Sequence, residues 1–231
     1  MRDVFVSTDN YQRFEDVFND LAANRYGVDM AAVIGRAGRG KTTASERLAT
    51  QFPEAIYVRP LDFGSPVAVL REVAFVVGGV RPRMTSACYE VLKAELSGNH
   101  KVIIVDEADR LGLKHLNVLR DISDHFTIPV ILVGEEPLAG KLRQERRLHS
   151  RLRDTVTFGP ITPSDVLYFY RKALAQAITP DQSKKLARHA EGDFRLVIKD
   201  ALKVERIMAA TGLKQINDQV IDEVCRVGVG R

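Results

Sequence analysis

The sequence predicts an α/β domain, a parallel sheet flanked by helices, followed by a small all-helical domain. Short apolar, β-branched runs alternate with helical periods as far as residue 158, the pattern of strand–helix–strand units that build parallel sheets. Beyond residue 160 only helical periods occur. Between the first strand and the first long helix after it lies a glycine-rich segment, residues 35–42, with the spacing G-x-x-x-x-G-K-T.

The elements follow in order. Residues 10–24 read as a helix with Phe14, Val17, Phe18 and Leu21 on one face. Met30–Ile34 is a short buried strand, and 43–49 a helix presenting Ala44, Leu48 and Ala49. Ala55–Val58 is a second strand, and 66–77 and 84–96 are helices. Residues 101–105, Lys-Val-Ile-Ile-Val, form an unbroken apolar run, as expected of a central strand buried on both faces. A helix over 115–126, a strand over 128–133 and a last strand over 155–158 complete the sheet. Gly159-Pro160 marks the boundary, giving domains 1–159 and 160–231. Thr162-Pro163 and Thr179-Pro180 each open a helix with a cap residue followed by proline at the first position. Helices over 193–210 and 217–226 bring the second domain to four.

The segment Gly35-Arg36-Ala37-Gly38-Arg39-Gly40-Lys41-Thr42 is a phosphate-binding loop. Its glycines let the backbone curl until several N–H groups face one anionic centre. Lys41 supplies a cation for the β- and γ-phosphates, the Thr42 hydroxyl can join a Mg²⁺ shell, and Thr43 extends the helix whose dipole favours the anion. The strand at 101–105 ends in Asp106-Glu107. Open α/β sheets bind ligands at the carboxyl ends of their strands. Asp106 is therefore expected to hold Mg²⁺ and Glu107 to orient or deprotonate the attacking water. Together the motifs predict ATP and Mg²⁺ as ligands and hydrolysis as the reaction. Asp106-Glu107-Ala108-Asp109 also spells a helicase signature, but the sequence after residue 160 leaves no room for a second motor domain.

Composition fits a soluble protein with a sizeable core: 231 residues, 45% hydrophobic and 28% charged. The apolar candidate at 74–77 stops at Gly78-Gly79, and no apolar run approaches membrane-spanning length. The first five residues lack the apolar segment of a secretory signal. Cys88 and Cys225 lie far apart and form no metal-ligand spacing, so a reduced cytoplasmic protein is expected. A net charge of +4 permits a nucleic-acid partner without requiring one.

This layout resembles the AAA+ ATPases, and most closely the transposition-helper type carried by phage Mu and other DNA transposons. The resemblance rests on the loop at 35–42, Val105-Asp106-Glu107-Ala108-Asp109, Leu132-Val133-Gly134, Ser150-Arg151-Leu152 and Gly192-Asp193-Phe194-Arg195. It implies an α/β core with a helical lid, self-assembly with ATP, duplex DNA bound without strong sequence preference, and a transposase partner. It implies that Arg151 reaches a neighbouring subunit's γ-phosphate, with Arg147 and Arg153 as competitors, and that Arg195 touches the nucleotide in cis. A replication initiator or helicase loader is the alternative of the same plan. A non-hydrolysing scaffold and a small-molecule kinase are disfavoured by Asp106-Glu107 and by the lid respectively. One departure stands out. The family places a polar residue after the fourth strand to hold the attacking water, and this sequence has Glu135 there, whose charge repels phosphate. Either Glu135 is paired with a cation or hydrolysis is slow, and slow turnover would suit a switch better than a motor.

With no DNA-reading module ahead of the core, DNA contact is expected from the core itself. Residues 141–153 carry six Lys and Arg against one acid, Glu145. Lys141, Arg143, Arg146 and Arg147 are the leading phosphate contacts, with Arg81, Arg83, Lys93, Lys114, His115 and Arg120 as further candidates. Aromatic residues do not interleave with these cations, so base stacking is not expected.

Overall fold

The computed structural model describes residues 1–23, 29–60, 64–98 and 100–226. It divides into two compact units: Asn10–Arg36 with Gly40–Phe158, and Met1–Asp9 with Ala37–Arg39 and Gly159–Arg231.

The first unit is built on five parallel strands, β1 (Met30–Ile34), β2 (Ala55–Val58), β3 (Val102–Val105), β4 (Val130–Gly134) and β5 (Leu152–Thr157), in the order β2-β3-β4-β1-β5. Every residue of β1, β3 and β4 is buried, which explains why these strands read as unbroken apolar runs. Register aligns their carboxyl ends: Ile34 pairs with Gly134, Val105 with Leu132, and Val58 with Val105. The segments leaving β1, β3 and β4 therefore emerge along one edge of the sheet.

The helices of this unit are α1 (Asp9–Ala23), α2 (Lys41–Gln51), α3 (Pro66–Gly78), α4 (Thr85–Leu96), α5 (Leu113–Phe126), α6 (Glu136–Gln144) and α7 (Arg146–His149). A 3₁₀ turn, Ala108–Arg110, follows β3. α1 buries Tyr11, Phe14, Phe18 and Leu21, while Val17 is only half-buried; residue 24 of the expected helix lies outside the described residues. Phe14 meets Phe158 edge-on with centroids 6.1 Å apart, and Phe18 packs on Phe52 at 5.1 Å. α3, α4 and α5 cover one face of the sheet through Val69, Val73, Leu92, Leu116 and Leu119.

Several boundaries moved for identifiable reasons. β4 begins at Val130, two residues later than expected, because Pro129 has no N–H for the ladder, although its carbonyl accepts from Ile103 N at 3.0 Å. β5 begins at Leu152, three residues early. It is an edge strand with one solvent face, so Arg153 and Asp154 masked it. α6 and α7 were not anticipated, because the charges of 136–149 obscure an apolar side of only Leu138, Leu142 and Leu148.

The second unit contains α8 (Pro163–Ala173), α9 (Pro180–His189), α10 (Phe194–Thr211) and α11 (Asp218–Arg226). Thr162 and Thr179 each form a reciprocal capping box, with Asp165 and Gln182 respectively, and proline follows both caps. Val166, Tyr170, Leu186, Val197, Val204 and Ile221 make its core, joined by Val6 from the N-terminal segment. That segment is tied down by Arg2 N donating to Ala173 O at 2.8 Å and by an ion pair between the amino terminus and Glu205. Buried Asp200 accepts from His189 at 2.8 Å and pairs with Lys203 at 3.4 Å. Among the described residues no helix is long and apolar enough to cross a membrane.

Candidate functional site: a phosphate loop beside a clamped acid pair

The loop after β1 turns through two glycines in the left-handed region, Gly38 at φ 76° and Gly40 at φ 86°. Gly40 is the residue from which α2 departs. An L side chain at either position would be strained. Lys41 is 8% exposed, and its ammonium donates to the carbonyls of Gly35 at 2.5 Å and Arg36 at 3.0 Å. Burial pulls its pKa below the usual lysine value, opposed by the charges of Glu135, Asp106, Asp109 and Glu136 in that order. Gly35 N donates to Gly134 O at 3.2 Å, tying the loop's start to the end of β4. Thr42 is half-buried, whereas Arg36, Ala37 and Thr43 are exposed.

The two acids after β3 are adjacent yet held differently. Asp106 is 2% exposed. One of its oxygens accepts from the Tyr57 hydroxyl at 2.9 Å and the other from Glu107 N at 2.8 Å. Burial and this carboxylate together push the tyrosine pKa well up. Glu107 sits at φ 54°, strained for a non-glycine residue, and opens the 3₁₀ turn. Its carboxylate is clamped by two guanidiniums, Arg59 on one oxygen and Arg110 on the other at 2.6 Å. Burial alone would raise its pKa, but hydrogen bonds from Arg110 and Arg59 and their charges outweigh it and hold the carboxyl below the ordinary range.

Asp109 braces the turn from behind, its Oδ1 accepting from Glu135 N at 3.0 Å. A Cβ on Gly134 would come within 2.6 Å of that same oxygen, so β4 must end in glycine here. Glu135 precedes α6, and among the carboxylates that oppose the burial effect on Lys41 it contributes most, without an ion pair to the ammonium. Lys141 differs from the expectation that it reaches DNA. Its ammonium donates to the carbonyls of Asp109 at 2.5 Å and Leu111 at 2.7 Å, so it locks the acid turn to α6.

The arginines of residues 143–153 fall into two groups. Arg151 is bound to Asp124 of α5 at 3.0 Å, and Arg153 to Asp29 at 3.5 Å and Asp154 at 3.7 Å. Arg143, Arg146 and Arg147 are exposed, and none of their guanidiniums has an ion pair or hydrogen bond among the described residues. Arg195 is exposed in the other unit, its backbone N capped by Asp193 Oδ1 at 2.8 Å. Sequence reasoning missed Tyr57, Arg59, Arg110 and the bracing role of Asp109. Arg110 alone carried a readable signal, its i,i+3 spacing from Glu107. The others act through strand pairing of β2 with β3 or through chain reversal.

The donor set suits a magnesium nucleotide. Mg²⁺ is commonly bound by one or two protein oxygens together with phosphates, and Thr42 and Asp106 supply oxygens of that kind. Among the described residues no cluster of three or more His, Cys, Asp or Glu could hold a metal alone.

A glycine- and lysine-bearing loop leading from buried β1, with paired acids ending β3 on the far side of β4, has the layout of a P-loop nucleotide-binding domain. The chain belongs to the AAA domain family, whose pattern it matches over residues 25–142. It is 28% identical over 191 residues to the ATP-dependent target DNA activator B of Escherichia phage Mu, covering 79% of this chain and 58% of that protein. It is 26% identical over 130 residues to a potential ATP-binding protein of Staphylococcus aureus, covering 52% of this chain and 48% of that one. The chain thus spans roughly half to three-fifths of these curated relatives. Its fold matches an ORC structure bound to DNA from Drosophila with a TM-score of 0.68 at 15% identity, over 96% of this chain and 60% of that one.

Proposed function

We propose that the chain is an ATP-hydrolysing switch that assembles on duplex DNA and activates a transposase. The observation that carries the reading is the arrangement on one sheet edge: a buried loop lysine, a buried aspartate, and a glutamate clamped by two arginines. The similarity to a target DNA activator supplies the biological direction. In this reading residues 1–159 hold the nucleotide and 160–231 form a helical lid from which Arg195 reaches it.

Each group has a task. Magnesium, when bound, would screen phosphate charge and polarise the bond to be cleaved. Lys41 leaves the Gly35 and Arg36 carbonyls to meet the phosphates, exchanging two neutral acceptors for anions. Thr42 and Asp106 hold the metal, and Tyr57 fixes the aspartate's orientation. Glu107 orients water and takes its proton, which requires a free lone pair on its carboxylate. Arg59 and Arg110 each take one acceptor site on a different oxygen and leave others open, but their charges lower the carboxylate's basicity, so hydrolysis is slow while they hold it. Glu135 faces Lys41, lowering the loop's net positive charge. Arg151, with Arg147 and Arg153 as competitors, completes a neighbour's site in the assembly: Arg151 must first leave Asp124, and Arg153 its aspartates.

DNA contact then rests on Arg143, Arg146 and Arg147, whose guanidiniums are exposed and without an ion pair among the described residues, and not on Lys141. Fluorescence anisotropy of labelled duplexes of unrelated sequence, with ATP, ADP or no nucleotide, tests the function. Binding that requires ATP, ignores sequence and weakens steeply with salt is expected. Binding indifferent to nucleotide, or none at low salt, would turn the assignment toward a protein-directed loader or scaffold.

A further inference from the structure

The crest of the phosphate loop, Ala37–Arg39, folds with the C-terminal helices as part of the second compact unit. The turn between α9 and α10 holds it at Gly38 and Arg39. Arg39 Nη1 donates to Glu191 O at 3.1 Å, and Phe194 N donates to Gly38 O at 2.9 Å. A Cβ on Gly192 would lie 2.0 Å from Arg39 Nη1, so this position admits only glycine while the arginine stays seated. Between them, the carboxylate of Asp193 lies flat on Gly38. A Cβ there would meet its three carboxyl atoms at 2.1 to 2.2 Å. Gly38 is buried, and an anion buries it, in a loop whose purpose is to receive anions. Helix capping explains only part of this placement. Asp193 Oδ1 caps α10 through Arg195 N, a task that uncharged Asn or Ser performs as well.

We infer that the 191–194 turn is a clasp on the phosphate loop and that Asp193 sets how weakly the loop holds spent nucleotide. The inference rests on the nucleotide-binding reading of residues 35–42. A carboxylate against the crest repels a diphosphate arriving at the same segment. Arg39, the one of the loop's cations that lies in the crest, is turned away to the Glu191 carbonyl. Asp193 is therefore an affinity-setting residue that favours release of ADP and resets the switch.

Asp193→Asn keeps the cap and removes the charge. Titration with a fluorescent N-methylanthraniloyl ADP is expected to show about five- to tenfold tighter binding than the parent at low salt, with slower release. The gain should shrink as salt rises from about 50 to about 300 mM, since screening weakens a charge effect and leaves a packing effect unchanged. The thermal midpoint should stay where it was. Asp193→Ser repeats the test if the asparagine variant does not fold. Equal or weaker ADP affinity overturns the inference, as does a gain that ignores salt. Failure of the parent to bind the nucleotide would overturn the nucleotide-binding reading itself, a result distinct from a parent that binds and a variant that binds no better.

Discussion

The acid turn after β3 and the basic segment of α6 and α7 lie at opposite extremes of charge compensation. In the turn every charge is answered: Asp106 by Tyr57, Glu107 by Arg59 and Arg110, and Asp109 by the Glu135 amide. In the segment, Arg143, Arg146 and Arg147 face solvent with no acid paired to them among the described residues. Exposed, unpaired cations have lost little hydration and have no partner to abandon, so they are ready for an external phosphate at small cost. The turn is the reverse case. Its groups become available only when something else releases them, as the proposed switch requires.

The largest expected effect comes from removing the one cation that the acids and loop share. Lys41→Ala should lower ATP affinity at least tenfold and hydrolysis at least a hundredfold, roughly the scale of deleting a group that stabilises transition-state charge. Isothermal titration with ATP and a coupled phosphate assay measure the two. Unchanged ATP affinity would sink the assignment.

The clamp makes the next comparison. Glu107→Gln keeps the shape and loses the base, so turnover should fall on the order of a hundredfold while ATP still binds. Arg59→Ala should act in the opposite direction, since it frees one oxygen of Glu107; basal turnover should rise severalfold. An Arg59→Ala rate at or below that of the parent would show that the arginine supports the chemistry instead of restraining it.

On the basic side, replacing Arg143, Arg146 and Arg147 together by Ala should weaken duplex binding uniformly across sequences. The slope of log affinity against log salt should fall by about three. ATP affinity should hardly change. Lys141→Ala sharpens the contrast: it should loosen the acid turn and disturb hydrolysis more than DNA binding, because its ammonium is spent on Asp109 and Leu111 carbonyls.

The difference between these regions also explains what the sequence could reveal. The sheet and the two motifs were legible because burial on both faces forces β-branched runs, and phosphate binding forces glycine and lysine at fixed spacing. Thr162 and Thr179 announced their helices because caps are local chemistry. The Arg59–Glu107 pair was not legible, since it joins residues 48 apart through the pairing of β2 with β3. Nothing in residues 141–147 distinguished Lys141, which turns inward, from its arginine neighbours, which do not. Charge composition marks a cationic surface; only the fold decides which cations are already engaged.

The smallest expected effect is on stability, and its sign is fixed by the pKa of Glu107. The carboxyl is held below its ordinary value in the folded protein, so the folded state binds the carboxylate form more favourably than the unfolded chain does. The stabilisation is therefore complete above the unfolded value and disappears as pH falls through the folded one. Arg59 and Glu107 side chains are 47% and 25% exposed, so solvent screens the pair and its worth at neutral pH is about 0.5 to 1 kcal/mol. Arg59→Ala should lower the urea midpoint slightly and equally between pH 6 and pH 8. The gap should then close in acid, below the ordinary carboxylate pKa of 4.5, where Glu107 gains its proton and the arginine loses its partner. Glu107→Gln, which lacks the charge at every pH, should erase the effect of Arg59→Ala throughout. A gap that closes between pH 6 and 8 would point to a histidine, and the clamp would then have to be assigned to a different pair.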